Sequence, residues 1–251
     1  MKIAMVTGAS SGIGEEFVKQ IDRLFQRTID ELWLIARNKE KLEQVAKRCK
    51  CKTRILALDV TKEEDIRHIE KLLSIGNPEI VMCVLSAGYG LEGRFEDLPI
   101  SEQLGMIDCN CKALTHLSYS VLPYMKANDR LILMASSAAF MPQSGFAIYA
   151  ATKSYVLSFG RALNNELTDR GITVTSVCPG PVNTPFFDVA EKYAKGKNFK
   201  KFTMVNPGLV VRCALADSKD HRDMSVPGFW MKLFYPISRF LPHRFLLRFT
   251  A

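Results

Sequence analysis

The chain has 251 residues, enough to bury one α/β core and too few for two ordinary enzyme domains. Its 34 basic against 26 acidic side chains give a net charge of +8, but no aromatic-interleaved basic strand or nucleic-acid module accompanies them, so nucleic acid is not the expected partner. Seven Cys without a Cys-x-x-Cys pair and 4 unclustered His argue against a metal site and a His-dependent triad; the thiols read as reduced, in a cytoplasmic protein.

Lys2 to Val6 is a short apolar strand, followed by Thr7-Gly-Ala-Ser-Ser-Gly-Ile-Gly14 and a helix over Glu15–Phe25. Glycines there let the backbone turn sharply and approach a pyrophosphate, while the helix presents free N–H groups to the anion. Gly8, Ser10, Ser11, Gly12, Ile13 and Gly14 are therefore candidate phosphate contacts. The spacing Gly8-xxx-Gly12-x-Gly14 is not GxGxxG, and no Lys-Ser/Thr follows it as in a Walker loop.

The second strand, Glu31–Ala36, runs into Arg37 and Asn38, with Lys39 and Lys41 beyond. A basic residue at this point accommodates a ribose 2′-phosphate, where a carboxylate would accept from a 2′-hydroxyl. Arg37 without an acidic neighbour thus points to NADP over NAD, unless it merely opens the next helix in solvent. The third strand, Arg54–Leu58, ends in Asp59 and Val60, candidates for an adenine edge, although Asp59-x-Thr61 also suits a helix cap. Further helices are expected over Glu40–Cys49, Lys62–Leu73, Glu102–Met125, Ile148–Leu167 and Pro207–Ala216. Further strands fall at Glu79–Ser86, within Asp129–Ser137, at Ile172–Cys178 and at Ser225–Val226. This alternation predicts a single-domain, three-layer α/β fold with a doubly wound parallel sheet, Rossmann-like, with function at the carboxyl ends of the strands.

Tyr149 and Lys153 stand one helical turn apart, so they share a face directed at Ser136 at the preceding strand end. A free phenol has a pKa of about 10. A fixed ammonium beside it lowers that value, and an acidified Tyr149 becomes an efficient acid–base group. Tyr193 and Lys197 repeat the spacing, but the position corresponding to Ser136 is then Gly180, which has no side chain. Ser137 is the weaker candidate because alternate strand residues face opposite ways.

These residues, in this order from Met1 to about Thr184, resemble the short-chain dehydrogenase/reductase family. Thr7, Gly8, Gly12 and Gly14 match its Thr-Gly-xxx-Gly-x-Gly cofactor motif, and Asp59 and Val60 its adenine-contacting pair. Ser86-Ala87-Gly88 matches part of its Asn-Asn-Ala-Gly motif, with Leu85 and Ser86 where asparagines are usual. Asn110, Ser136, Tyr149 and Lys153 match its catalytic tetrad. Pro179, Gly180, Val182 and Thr184 lie in a segment similar to the one that packs on the nicotinamide. The resemblance implies that Ser136 hydrogen-bonds a carbonyl oxygen and Tyr149 delivers its proton. It also implies that Lys153 holds the ribose and acidifies the phenol, and that Asn110, at a bend in its helix, anchors a proton-relaying water. Homodimers or homotetramers are expected.

Residues 1–226 read as the catalytic domain, with a substrate loop over 185–205, and 227–251 as an amphipathic tail of the same domain. Charges interrupt every apolar run, and Pro236 and Pro242 divide the tail into short segments. The tail covers either the substrate pocket or a subunit interface, or it lies on anionic lipid with Trp230, Phe234, Phe240 and Phe245 inserted and Lys232, Arg239, Arg244 and Arg248 at the headgroups. The expected function is NADP(H)-linked hydride transfer to a small-molecule carbonyl or from an alcohol, with a lipophilic ketone or aldehyde as substrate. The alternatives are a non-catalytic NADP(H)-binding regulator or a peripheral membrane protein.

Overall fold

The computed structural model describes residues 1–193, 204–240, 242 and 247. Lys197, Lys201, Arg244, Phe245, Arg248 and residues 194–203 of the expected substrate loop lie outside them. Among the described residues, seven strands form one parallel sheet: β1 (Lys2–Thr7), β2 (Glu31–Ala36), β3 (Thr53–Ala57), β4 (Glu79–Leu85), β5 (Arg130–Met134), β6 (Thr173–Val177) and β7 (Met224–Ser225). Their order is β3-β2-β1-β4-β5-β6-β7. The crossovers between successive strands carry α1 (Gly12–Phe25), α2 (Lys39–Ala46), α3 (Glu63–Gly76), α4 (Ile100–Ile107), α5 (Leu114–Val121), α6 (Ala147–Glu166), α7 (Phe186–Ala190) and α8 (Pro207–Lys219), and α9 (Phe229–Phe240) follows β7.

Strand periodicity explains the three layers. Along β1, Ile3 and Met5 enter one core with Ile66, Ile69, Leu117 and Val156 from α3, α5 and α6. Ala4 and Val6 point the other way, onto Phe17, Val18, Leu42 and Val210 from α1, α2 and α8. On β2, Trp33 and Ile35 oppose Leu32 and Leu34 in the same manner. Strands buried on both faces read as continuous apolar runs, and each residue chooses its layer by parity. The order reverses between β1 and β4, which opens a crevice at their carboxyl ends.

Two departures from the sequence expectations matter for the site. The long helix expected over Glu102–Met125 begins at Ile100 and is broken by a π-helical stretch, Asp108–Ala113, that holds Asn110. The tail is not divided at Pro236: α9 runs through it from Phe229 to Phe240. Phe234 and Tyr235, beside that proline, pack on the core, and the Phe140 and Tyr235 rings lie 4.8 Å apart. Packing of this kind offsets the backbone bond that a proline removes.

Candidate active site

The cradle is built from absent side chains. Gly8 has φ +68°, and a Cβ on it would stand 3.0 Å from the Ala87 nitrogen. A Cβ on Gly14 would lie 2.1 Å from the Gly8 oxygen. α1 begins at Gly12, so its first turn opens directly into the crevice. Thr7 stands behind the cradle rather than in it. It is 1% exposed, and its Oγ1 accepts from both Ser86 N and Ala87 N at 3.0 Å. The end of β4 is therefore pinned from the β1 side although Leu85 and Ser86 occupy the usual asparagine positions.

A cleft of about 920 Å³ runs over these strand ends. Its lining includes Gly8, Ser10, Ser11, Gly12, Ile13, Gly14, Arg37, Asp59, Val60, Ala87, Gly88, Ser136, Tyr149, Lys153, Pro179, Gly180, Val182 and Thr184. Asn38 rather than Arg37 opens α2, its Oδ1 accepting from Lys41 N at 2.8 Å, which leaves the Arg37 guanidinium at the cleft edge. Asp59 uses Oδ1 in a local turn, accepting from Thr61 N at 3.0 Å and Thr61 Oγ1 at 2.8 Å, so it caps no helix; Lys62 precedes α3. The glycine cradle and the basic edge fit a dinucleotide.

At the other end of the cleft Tyr149 and Ser136 line the same wall. β5 stops at Met134, so parity does not separate Ser136 from Ser137, and both line the cleft. Ser136 is distinguished as the hydroxyl that acts on the Tyr149 phenol, in the direction of a lower pKa. The Tyr149 ring lies 4.4 Å from Phe146 and 5.5 Å from Phe186, centroid to centroid, and rests on Gly90. Burial raises the phenol to about 12, with the Ser136 hydroxyl opposing the rise. Lys153 Nζ donates to the Met134 oxygen at 2.7 Å and stands 5.7 Å from the Tyr149 ring centre; burial lowers it to about 8. The expected acidified phenol is thus corrected. Loss of solvent outweighs the Ser136 hydroxyl, and Tyr149 holds its proton at neutral pH.

Asn110 is 1% exposed and lies behind the lining. Its Nδ2 donates to the Tyr89 oxygen at 2.9 Å and to Thr152 Oγ1 at 3.0 Å, while Oδ1 accepts from Tyr89 N at 3.1 Å. The side chain expected to anchor a water holds the Tyr89 backbone. A Cβ on Gly88 would lie 2.8 Å from Asn110 Oδ1 and 3.4 Å from Lys153 Nζ, so the chain passes close to both.

The model of the short chain dehydrogenase family matches residues 2–194. The chain belongs to this family. An uncharacterized oxidoreductase of Staphylococcus epidermidis is 33% identical over 186 residues, which cover 73% of this chain and 79% of the relative. A short-chain dehydrogenase from Sphingobium yanoikuyae in complex with NADPH superposes with a TM-score of 0.77 at 24% identity, covering 96% of this chain and 97% of that one. A 3-ketoacyl-(acyl-carrier-protein) reductase from Brucella melitensis complexed with NADH gives 0.76 at 24% identity, covering 90% and 95%. As a short-chain dehydrogenase, the protein is an NAD(P)(H)-dependent oxidoreductase of carbonyl or alcohol groups.

In this short-chain dehydrogenase the substrate side of the cleft is apolar, with Tyr89, Phe146, Phe186, Phe187, Met231 and Phe234 in its wall. The aromatic start of the loop, Phe186 and Phe187, was legible in sequence; Phe146, one turn before Tyr149, carried no separate signal. Phe234 faces inward, which corrects its assignment to a lipid-inserted set. Cys178 is fully buried and its thiol is raised to about 12 by that burial; Cys111 is raised for the same reason, so both are poor nucleophiles. Among the described residues no helix is long and apolar enough to cross a membrane, and no cluster of His, Cys, Asp and Glu could hold a metal.

Proposed function

We propose that this short-chain dehydrogenase uses NADPH to reduce a lipophilic ketone or aldehyde, or runs the reverse oxidation. The observation that carries the reading is the buried Tyr149, lining one cleft with Ser136 and Lys153 inside an apolar collar. When bound, the nicotinamide cofactor supplies the hydride. Ser136 donates to the carbonyl oxygen, and the Tyr149 hydroxyl delivers a proton as negative charge develops there. Lys153 at the cleft floor holds the cofactor's ribose. Asn110 keeps Tyr89 and Thr152 in register behind the reacting groups. Phe146, Phe186 and Phe187 exclude water and favour an apolar substrate.

Arg37, with Asn38 and Lys41 beside it in the cleft, supports NADP over NAD. Ile100, Leu104, Ile107, Tyr119 and Tyr155 are exposed on or beside α4, α5 and α6, which supports a homo-oligomer joined through those helices. The test is NADPH oxidation across ketones and aldehydes of graded length and ring number, with wild type and Tyr149→Phe. Turnover should rise with substrate apolarity and disappear in Tyr149→Phe, while NADPH binding persists. Unchanged turnover in the variant would remove Tyr149 as the proton donor.

A further inference from the structure

The tail helix α9 is apolar on both sides, for different reasons. Its inner side is accounted for: Met231 Cγ would lie 2.8 Å from a Cβ on Gly180, Phe234 and Tyr235 pack against the core, and Ser238 is 2% exposed. Its outer side is not. Phe229 is 73% exposed, Trp230 65%, Leu233 49%, Ile237 41% and Phe240 85%. At about 100° per residue these five fall with Pro236 in one arc of about 120°, where a surface helix normally carries its charges. Lys232 stands at the edge of the arc and is exposed.

We propose that this outward face docks on an anionic lipid surface, with the apolar arc entering the acyl boundary and Lys232 at the headgroups. Charge selects this occupant. From Pro227 to Ala251 the chain carries Lys232, Arg239, Arg244 and Arg248 and no Asp or Glu, within a protein of net charge +8. Two copies meeting through this face would oppose like charges with no carboxylate on either helix to compensate, whereas a bilayer containing anionic lipid supplies the missing sign. Trp230 and Phe229, packed edge to face with ring centres 5.6 Å apart, form a bulky aromatic end suited to the headgroup boundary. The inner side of the same helix contributes Met231 and Phe234 to the cleft wall, so docking would set the cleft against the bilayer. The docking does not depend on the substrate reading, which it would complement.

The full chain is mixed with vesicles of phosphatidylcholine alone and of phosphatidylcholine containing about one part in three phosphatidylserine, and sedimented. The bound fraction should be large with phosphatidylserine and several-fold smaller without it. Phe229→Ser/Trp230→Ser/Leu233→Ser, which alters only exposed positions, should lower binding more than tenfold, and Leu24→Ser, exposed on α1 in the opposite helical layer, should not. Emission from Trp230 should shift to the blue with vesicles, against an unchanged background from Trp33, which is 2% exposed. Failure to sediment with either vesicle, or equal binding by the triple variant, would overturn the proposal. So would a triple variant that changes the oligomeric state while the wild type ignores vesicles, since the face would then join two copies. Retained NADPH binding by the triple variant shows that it is folded.

Discussion

Tyr193 Oη donates to Glu102 Oε1 at 2.9 Å, bridging the segment that closes the substrate side to α4. Lys192 Nζ reaches the same oxygen at 2.8 Å, and the Glu102 backbone oxygen accepts from Tyr89 Oη at 3.3 Å. One residue thus ties the cover to Tyr89, whose backbone Asn110 holds. The bonds from Lys192 and Tyr193 keep the Glu102 carboxyl below its ordinary range. Because that pKa is lowered in the folded state, the tie is complete at neutral pH and is lost only as pH falls through the lowered value. Glu102→Gln should raise KM about two- to fivefold, as partly exposed ion pairs do, with kcat and the Kd for NADPH little changed. Steady-state kinetics beside cofactor titration would check it; an equal fall in kcat would mean that Glu102 acts on the chemistry.

Gly90 should tolerate no side chain. A Cβ there would stand 2.5 Å from Tyr149 Cδ2 and 2.8 Å from its Cγ, so the ring must move. Gly90→Ala is expected to lower kcat at least tenfold, because small misplacements of a reacting group are costly. NADPH binding, followed by fluorescence titration, should stay within about twofold, since the cradle at Gly8 and Gly12 is remote from this contact.

The pH profile of reduction follows from Lys153. Its ordinary value near 10.5 is lowered to about 8, so it is charged below that pH and neutral above it, whereas Tyr149 keeps its proton up to about 12. The rate of carbonyl reduction should therefore fall as pH rises through about 8, before the phenol titrates. Lys153→Met should be slow and should lack this limb. A limb that survives in Lys153→Met would assign it to another group.

Thr7→Val removes one acceptor and orphans two backbone donors, Ser86 N and Ala87 N. An unmet buried donor costs about 1–3 kcal/mol, and each kcal/mol lowers Tm by about 2–4 °C in a chain of this size. Both donors are part-buried, so the low end applies to each, and a fall of about 4–8 °C is expected in thermal unfolding, with Thr7→Ser close to wild type.

Arg37→Asp should reverse the cofactor preference. A guanidinium at the cleft edge suits a phosphate dianion, and a carboxylate there repels it. The ratio of kcat/KM for NADPH to that for NADH should drop more than tenfold. An unaltered ratio would place the phosphate contact elsewhere, with Lys41 the next position to change.

Much of this was written in the order of residues. The parity of Ile3, Ala4, Met5 and Val6 dictates a strand between two helical layers, and Gly8, Gly12 and Gly14 dictate a close backbone turn, because these are local properties of spacing and side-chain size. Ser136, Tyr149 and Lys153 were legible as one site for the same reason: a strand end followed by one helical turn leaves little choice of place.

Tertiary structure decided what depends on surroundings. The phenol rises rather than falls because of burial, which no spacing reveals, while Lys153 turns its ammonium to the Met134 oxygen. Asn110 became a strut for Tyr89, Phe234 turned inward, and α9 continued through Pro236 because distant segments met there. Local pattern fixes what a residue can become; the solvent it loses and the neighbours it gains set its charge, its direction and its partner.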